Sequence, residues 1–207
     1  MTISTHIIAR AAFASLAAVA LTACQLPNLD LAVLSSTATP PALSELRVTA
    51  EQANTGYDRD DWPHWSSHGD GCDTRDLVLF AEGRNVVEGE DCEPVEGTWT
   101  SAYDGVVVHD PGELDIDHIV PLAEAAESGA HTWTEDQRER YANDRRYLIA
   151  VTASSNRTKG DADPAEWLPA PAARCDYTRR WIATKTTYGL TVDPAERAAL
   201  ANVLEQC

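Results

Sequence analysis

The chain has 207 residues, 43% of them hydrophobic, and a formal net charge of −17. That length leaves room for one domain of ordinary size with a leader and a linker. The acidity argues against a protein that grips duplex nucleic acid through a generally basic surface, because a negative surface repels phosphate at long range. A local cationic cleft, or a bound divalent cation, would still let such a chain handle phosphate.

Residues 1–23 carry one basic residue, Arg10, then an Ala-rich apolar run that ends Leu21-Thr22-Ala23 before Cys24. This is the pattern of a secretory leader. Its last four residues resemble a bacterial lipobox, so Cys24 is the expected lipidation site. The expected localisation is export, tethered through lipid to the outer face of a membrane, or secretion if cleavage is ordinary. Residues 24–45 are rich in Ser, Thr, Ala, Pro and Leu and read as a flexible tether. Residues 46–207 have globular composition and read as one domain. Beyond the leader, no stretch approaches the ~18 apolar residues needed to span a bilayer.

Four cysteines remain: Cys72, Cys92, Cys175 and Cys207. In an exported chain an even count reads as disulfides. Three pairings exist; Cys72–Cys92 and Cys175–Cys207 are favoured because each pair lies within one region. Leu200, Val203, Leu204 and Cys207 also recur at helical spacing, which predicts that Cys207 faces inward with the apolar stripe.

In chain order, residues 57–75 read as a structured polar and aromatic loop. The run Leu77-Val78-Leu79-Phe80 predicts a short strand or helix turn over 76–80. Residues 97–109 predict a hairpin, with Gly105 at the turn and Val106-Val107-Val108 as its second arm. A strand follows over 114–120, ended by Pro121, then a helix over 122–128 stopped by Gly129. Thr134-Glu135-Asp136-Gln137 is a capping box that opens a helix ending near Asn143. A second strand over 147–151 leads into a helix opened by Ser154-Ser155-Asn156 and broken at Gly160. Asp163-Pro164 caps a turn through Trp167. Residues 175–188 are helical, with Tyr177, Trp181, Thr184 and Tyr188 on one stripe. Asp193-Pro194 caps the last helix.

Chemistry concentrates between residues 114 and 160. Asp117-His118 places an imidazole beside a carboxylate on an otherwise apolar strand, which is costly to bury without a role. Read alone, the pair fits a satisfied core histidine. If the two strands pair, however, His118 comes near Asn156 at the head of the next helix, with Arg157 and Lys159 beyond it. His64-x3-His68-x3-Cys72 has metal-ligand spacing, but the intervening Gly residues and the expected disulfide argue against zinc.

Asp117-His118-Ile119-Val120-Pro121, Asn143 and Asn156-Arg157-Thr158-Lys159-Gly160 together resemble the HNH, or ββα-metal, nuclease motif. The pattern is similar to the HNH domain of RNA-guided CRISPR effectors. It is closer to exported bacterial HNH proteins grouped as a domain of unknown function, a domain that also forms the C-terminal part of GmrSD-type restriction enzymes. Gly71-Cys72-Asp73-Thr74-Arg75, Ser154-Ser155-Asn156-Arg157 and Asp163-Pro164-Ala165-Glu166-Trp167-Leu168-Pro169 extend the likeness over residues 46–207.

The resemblance implies an α+β fold in which a ββα-metal hairpin-plus-helix core carries additional C-terminal helices. It implies a metal-dependent endonuclease in which His118 is the general base, Asp117 and Asn156 are metal ligands, and Asn143 orients the base. Carboxylate and amide oxygens suit Mg2+ or another divalent cation such as Mn2+. Lys159, Arg157 or Arg75 would steady the phosphate. Nucleic acid is the implied partner, DNA favoured over RNA, together with a membrane contacted through the N-terminal lipid. The competing reading is a non-catalytic surface module that keeps the scaffold and binds a partner. Adjacent side chains on a regular strand face opposite ways, so a shared Asp117–His118 site predicts a bend or bulge just before Pro121.

Overall fold

The computed structural model describes residues 42–53 and 55–207. The expected leader, Cys24 and most of the expected tether lie outside the described residues. The elements are β1 (Ser67–Gly69), β2 (Cys72–Asp73), α1 (Thr74–Glu82), β3 (Arg84–Glu88), β4 (Pro94–Thr100), β5 (Val107–Val108), β6 (Leu114–His118), α2 (Leu122–Glu127), α3 (Glu135–Ala142), β7 (Leu148–Thr152), α4 (Ala153–Lys159), α5 (Arg174–Tyr188) and α6 (Pro194–Leu204). The fold is mixed α/β with small antiparallel sheets: β1-β2, β3-β4-β5 and β6-β7.

Most boundaries follow from local chemistry. Thr134 and Gln137 form the expected capping box at α3, and Asp193 and Glu196 form another at α6. Gly129, Gly160 and Gly189 have positive φ at the ends of helical segments, where a side chain would be strained. The run at residues 76–80 lies inside α1, a full helix. Its start signal is Asp73, whose carboxylate caps Asp76 N–H while Asp76 returns a bond to Asp73 N–H. The hairpin over 97–109 forms as β4 and β5, with Trp99 opposite Val108. The Trp99 indole donates to Leu79 O at 2.8 Å and lies over Gly83 and Gly97, where any Cβ would collide with the ring.

The central element is the β6-β7 pair. It runs in unbroken register from Leu114 opposite Thr152 to His118 opposite Leu148. The period of two sorts its side chains. Leu114, Ile116, Leu148 and Ala150 join Val78, Leu79 and Trp99 in a smaller core beside α1. Ile149 and Val151 face the larger core, which contains Trp62, Tyr141, Tyr177, Trp181 and Leu200. α4 follows β7 directly and packs on both strands.

Both disulfides expected from sequence form: Cys72–Cys92 and Cys175–Cys207. Cys207 departs from the expected inward stripe. α6 ends at Leu204, so Cys207 lies beyond the helical period and is exposed, although its sulfur reaches Cys175. Among the described residues no helix is long and apolar enough to cross a membrane.

Candidate active site at the end of the β6-β7 pair

Two periodicities build this site. Asp115 and Asp117, two apart on β6, share one face of the strand. Asn156 and Lys159, three apart on α4, share one face of the helix. The faces meet: Asn156 Nδ2 donates to Asp115 Oδ2 at 3.1 Å, and Lys159 Nζ donates to Asp117 Oδ2 at 2.7 Å. The Tyr103 hydroxyl donates to the same Asp117 oxygen at 2.5 Å. Asp117 Oδ1 is thereby left for another partner.

The head of α4 is fastened separately. Asp104 Oδ2 accepts from the Thr152 and Ser155 hydroxyls at 2.5 and 2.7 Å. Burial alone would raise the Asp104 pKa, but hydrogen bonds from Thr152, Ser155 and Ser101 bring it down to about 2.

His118 points to the other face of β6. Its Nε2 lies 2.9 Å from Ala142 O. A carbonyl only accepts, so Nε2 carries the proton and, in the neutral ring, Nδ1 keeps its lone pair. The imidazole is flanked by near-parallel rings, Trp65 at 5.9 Å and Tyr141 at 6.2 Å between centroids. Burial is the main cause that pushes the His118 pKa down to about 3. The Ala142 carbonyl acts the other way, and the charges of Arg59, Lys159 and His64 lower it further. The ring is therefore neutral at physiological pH.

Asn143 ends α3 next to the carbonyl that holds His118. Its Nδ2 donates to Glu139 O at 2.8 Å and Pro63 O at 2.9 Å, and its Oδ1 accepts from Ser66 N–H and the Thr74 hydroxyl, both at 2.8 Å. One amide thus ties the end of α3 to the loop before β1 and to the start of α1. Trp65, in that loop, has φ 59°, a costly conformation for a bulky residue. The contacts of Ser66 with Asn143 and of the Trp65 ring with His118 hold it there.

Asp117, His118 and Asn156 line one cavity of about 220 Å3, together with Arg59, Ile116, Pro121, Leu122, Arg157, Gly160 and Asp161. Of the bend or bulge expected just before Pro121, the bend is present: β6 keeps a regular register and the chain bends at Ile119 and Val120. Residues on opposite faces can border one cavity because it lies at the end of the strand. Arg157 also borders a neighbouring open groove of about 570 Å3 lined by Val106, Val107, Val108 and Ser154.

Two residues expected at the phosphate are elsewhere. Lys159 is 2% exposed, and its ammonium donates to Asp117 and, at 3.0 Å, to His118 O. The helical period turns it inward beneath the carboxylate. Arg75 is not a lining residue of the cavity; its guanidinium donates to Pro111 O at 3.1 Å and Leu114 O at 3.3 Å, steadying the approach to β6. His68 bonds Thr74 and Cys72 is in a disulfide, so the His64/His68/Cys72 spacing builds no metal cluster. Sequence reasoning missed Tyr103, Trp65 and Arg59. Only Arg59 left a signal: it is the single Lys or Arg between Arg47 and Arg75, set in Asp58-Arg59-Asp60-Asp61.

The donor set of the cavity suits a hard divalent cation: a buried carboxylate with one oxygen uncommitted, and the Asn156 amide lining the same cavity. Two protein oxygens leave room for water and phosphate. Lys159 is a counter-charge on Asp117 that such an ion would meet, and with Tyr103 it also fixes the orientation of the carboxylate. Among the described residues, larger carboxylate groups at ligand spacing are Glu51/Glu124/Glu127 and Glu51/Asp163/Asp193, which do not include the residues above.

Comparison with known proteins adds three findings. The family model for the C-terminal domain of GmrSD restriction endonucleases matches residues 85–203. An "Uncharacterized secreted protein" of Arthroderma benhamiae is 42% identical over 168 residues, covering 80% of this chain and 82% of that relative. No solved structure matches. A secreted relative and two disulfides are consistent with export.

Proposed function

The chain belongs to the family of GmrSD restriction endonuclease C-terminal domains, and from that premise we propose that it is an HNH-type, metal-dependent endonuclease that hydrolyses phosphodiester bonds in nucleic acid. The observation that carries this reading is His118. Its Nε2–H is committed to Ala142 O, and the residue lines the same cavity as Asp117 and Asn156. That leaves Nδ1 to take a proton from an attacking water, the work of a general base.

In this reading β6, β7 and α4 are the ββα-metal core. Asp117 and Asn156 would hold Mg2+ or Mn2+, which supplies positive charge to the phosphate oxygens and the leaving group. Tyr103 and Lys159 keep Asp117 aimed. Asn143 fixes the turn that presents the Ala142 carbonyl and so sets the angle of the base. Burial above all lowers the proton affinity of His118 and keeps the ring free of a proton at neutral pH. DNA is the favoured substrate. Lipid attachment at Cys24 would hold the domain at the outer face of a membrane, and mass spectrometry of the mature N-terminus reads that directly.

The test is incubation of the oxidised, leaderless protein with supercoiled plasmid, single-stranded DNA and RNA, each with Mg2+, with Mn2+ and with EDTA. The reading expects cutting of at least one substrate that EDTA abolishes. A folded, metal-supplied protein that cuts none of them belongs to the competing class, a binding module on this scaffold.

A further inference from the structure

The setting of Arg59 calls for an explanation. Arg59 opens a 3-10 turn (Arg59–Asp61) whose N-cap, Asp58, accepts from Asp60 N–H at 3.0 Å. Arg138 Nε donates to Asp61 O at 2.8 Å and fastens the turn to α3. The next residue, Trp62, is buried and packs against Tyr141 and Trp133. Tyr141 is one of the two rings beside His118. The turn that carries Arg59 is therefore anchored in the same aromatic cluster that holds the base.

Arg59 is exposed and lines the cavity of Asp117, His118 and Asn156. Its charge and that of Lys159 both act on the His118 ring. Three acidic neighbours flank it in sequence, yet among the described residues no carboxylate lies within ion-pair distance of it. Arg146 and Arg180, by contrast, are paired to Asp144 and Asp176. Lys159 is spent on Asp117 and on a carbonyl, whereas Arg157 lines the same cavity, also without an ion pair among the described residues, and faces the neighbouring groove as well. A planar fork of N–H donors, uncommitted to carboxylate and bordering a cavity that holds a neutral imidazole, is matched to an anion with paired oxygens.

We infer that Arg59 is a catalytic residue that donates to a nonbridging oxygen of the scissile phosphodiester and stabilises the charge that develops there. The inference rests on the nuclease reading and deepens it. Arg59 lies outside residues 85–203, the span matched by the family model, so the family pattern does not supply it. A loop N-terminal to the matched span then completes the site.

The experiment compares wild type, Arg59→Gln and Arg59→Lys in metal-supplied plasmid cleavage, with kcat and KM resolved and near-UV circular dichroism and Tm recorded for each. A contact made to the scissile phosphate and strengthened in the transition state falls on kcat. Arg59→Gln is expected to lose about 100-fold in kcat, the order seen when one preorganised donor is removed from developing charge. KM should stay within about threefold, with the fold intact. Arg59→Lys should regain part of the loss, since charge returns without the fork. Wild-type kinetics in Arg59→Gln would overturn the inference and leave the nuclease reading standing. So would a loss confined to KM, which marks a contact to distant backbone. A fall in Tm with no recovery by Lys would reassign Arg59 to structure. Absence of cleavage by wild type would remove the nuclease reading and this inference with it.

Discussion

Lys159 and Lys185 are both enclosed in this domain and both meet carboxylates, but their surroundings differ. Lys185 donates to Glu124 at 2.6 Å, Glu196 at 2.8 Å, Ser128 at 2.9 Å and Thr191 O at 2.9 Å, and Glu196 also accepts from the Trp181 indole. That network joins α2, α5 and α6, and its donors are fully used. Lys159 meets one carboxylate and one carbonyl, and that carboxylate borders a cavity shared with His118 and Asn156. Buried charge alone therefore does not mark a functional site. In the proposed reading, the mark is a buried group with an uncommitted oxygen that shares a cavity with a second reactive group.

The largest effect is expected at the closed network. Lys185→Met would strand Glu124 and Glu196 in the core, and breaking a buried pair from one side costs about 3–5 kcal/mol. For a domain of this size that is a fall in Tm of about 10 °C or more, read by calorimetry. Lys159→Met should cost less, about 2 kcal/mol, because Asp117 keeps Tyr103 and its cavity can admit water. Millimolar Mg2+ should recover part of the Lys159→Met loss and none of the Lys185→Met loss. Equal insensitivity of both to Mg2+ would erase the distinction drawn between the two lysines.

Asn143→Ala comes next. It unties α3 from the loop before β1 and from α1, and it should lower kcat about 10- to 100-fold through the misplaced base. Its stability cost is about 2 kcal/mol, from partners left unsatisfied. Urea titration and cleavage kinetics on the same preparation separate the two effects. An activity loss no larger than that of a distant variant of equal stability would sink the orienting role.

The order of strand, α3, strand and α4 was readable because each boundary is local: Pro121, the Thr134 capping box, Gly160. Pairing the two strands was expected to bring His118 near Asn156, and the two line one cavity. α1 was ambiguous because Leu77 to Phe80 is a continuous apolar run with no period, and its deciding signal was the Asp73–Asp76 capping box. β3 left little signal, since most of its residues are exposed and do not alternate. The inward turn of Lys159 could be read only once α4 was known to pack on β6. The burial of Lys185 depends on Glu124, 61 residues away, a contact that no local pattern encodes. Arg59 shows the same limit: its isolation among acidic residues was visible, and its destination was not.

The smallest effect concerns the anchor of α4. The Asp104 pKa lies below its ordinary 3.8 in the folded protein. Its contribution is therefore fully present above the unfolded value and is lost as pH falls toward about 2. Asp104→Asn should cost about 1 kcal/mol at neutral pH, after allowance for partial solvent screening. The gap from wild type should close between about pH 4 and pH 2 in urea titrations. A gap constant across that range would show that the Asp104 charge contributes nothing.

The central claim is that His118 Nδ1 accepts the proton of the attacking water. The measurement that tests it most directly is single-turnover plasmid cleavage by wild type and His118→Ala at neutral pH with saturating Mg2+, both shown to be folded. A loss of about 10^3-fold in His118→Ala, within the range expected for removal of a general base, is the predicted result. Cleavage by His118→Ala within a few-fold of wild type would contradict the claim and place the chemistry elsewhere in the molecule.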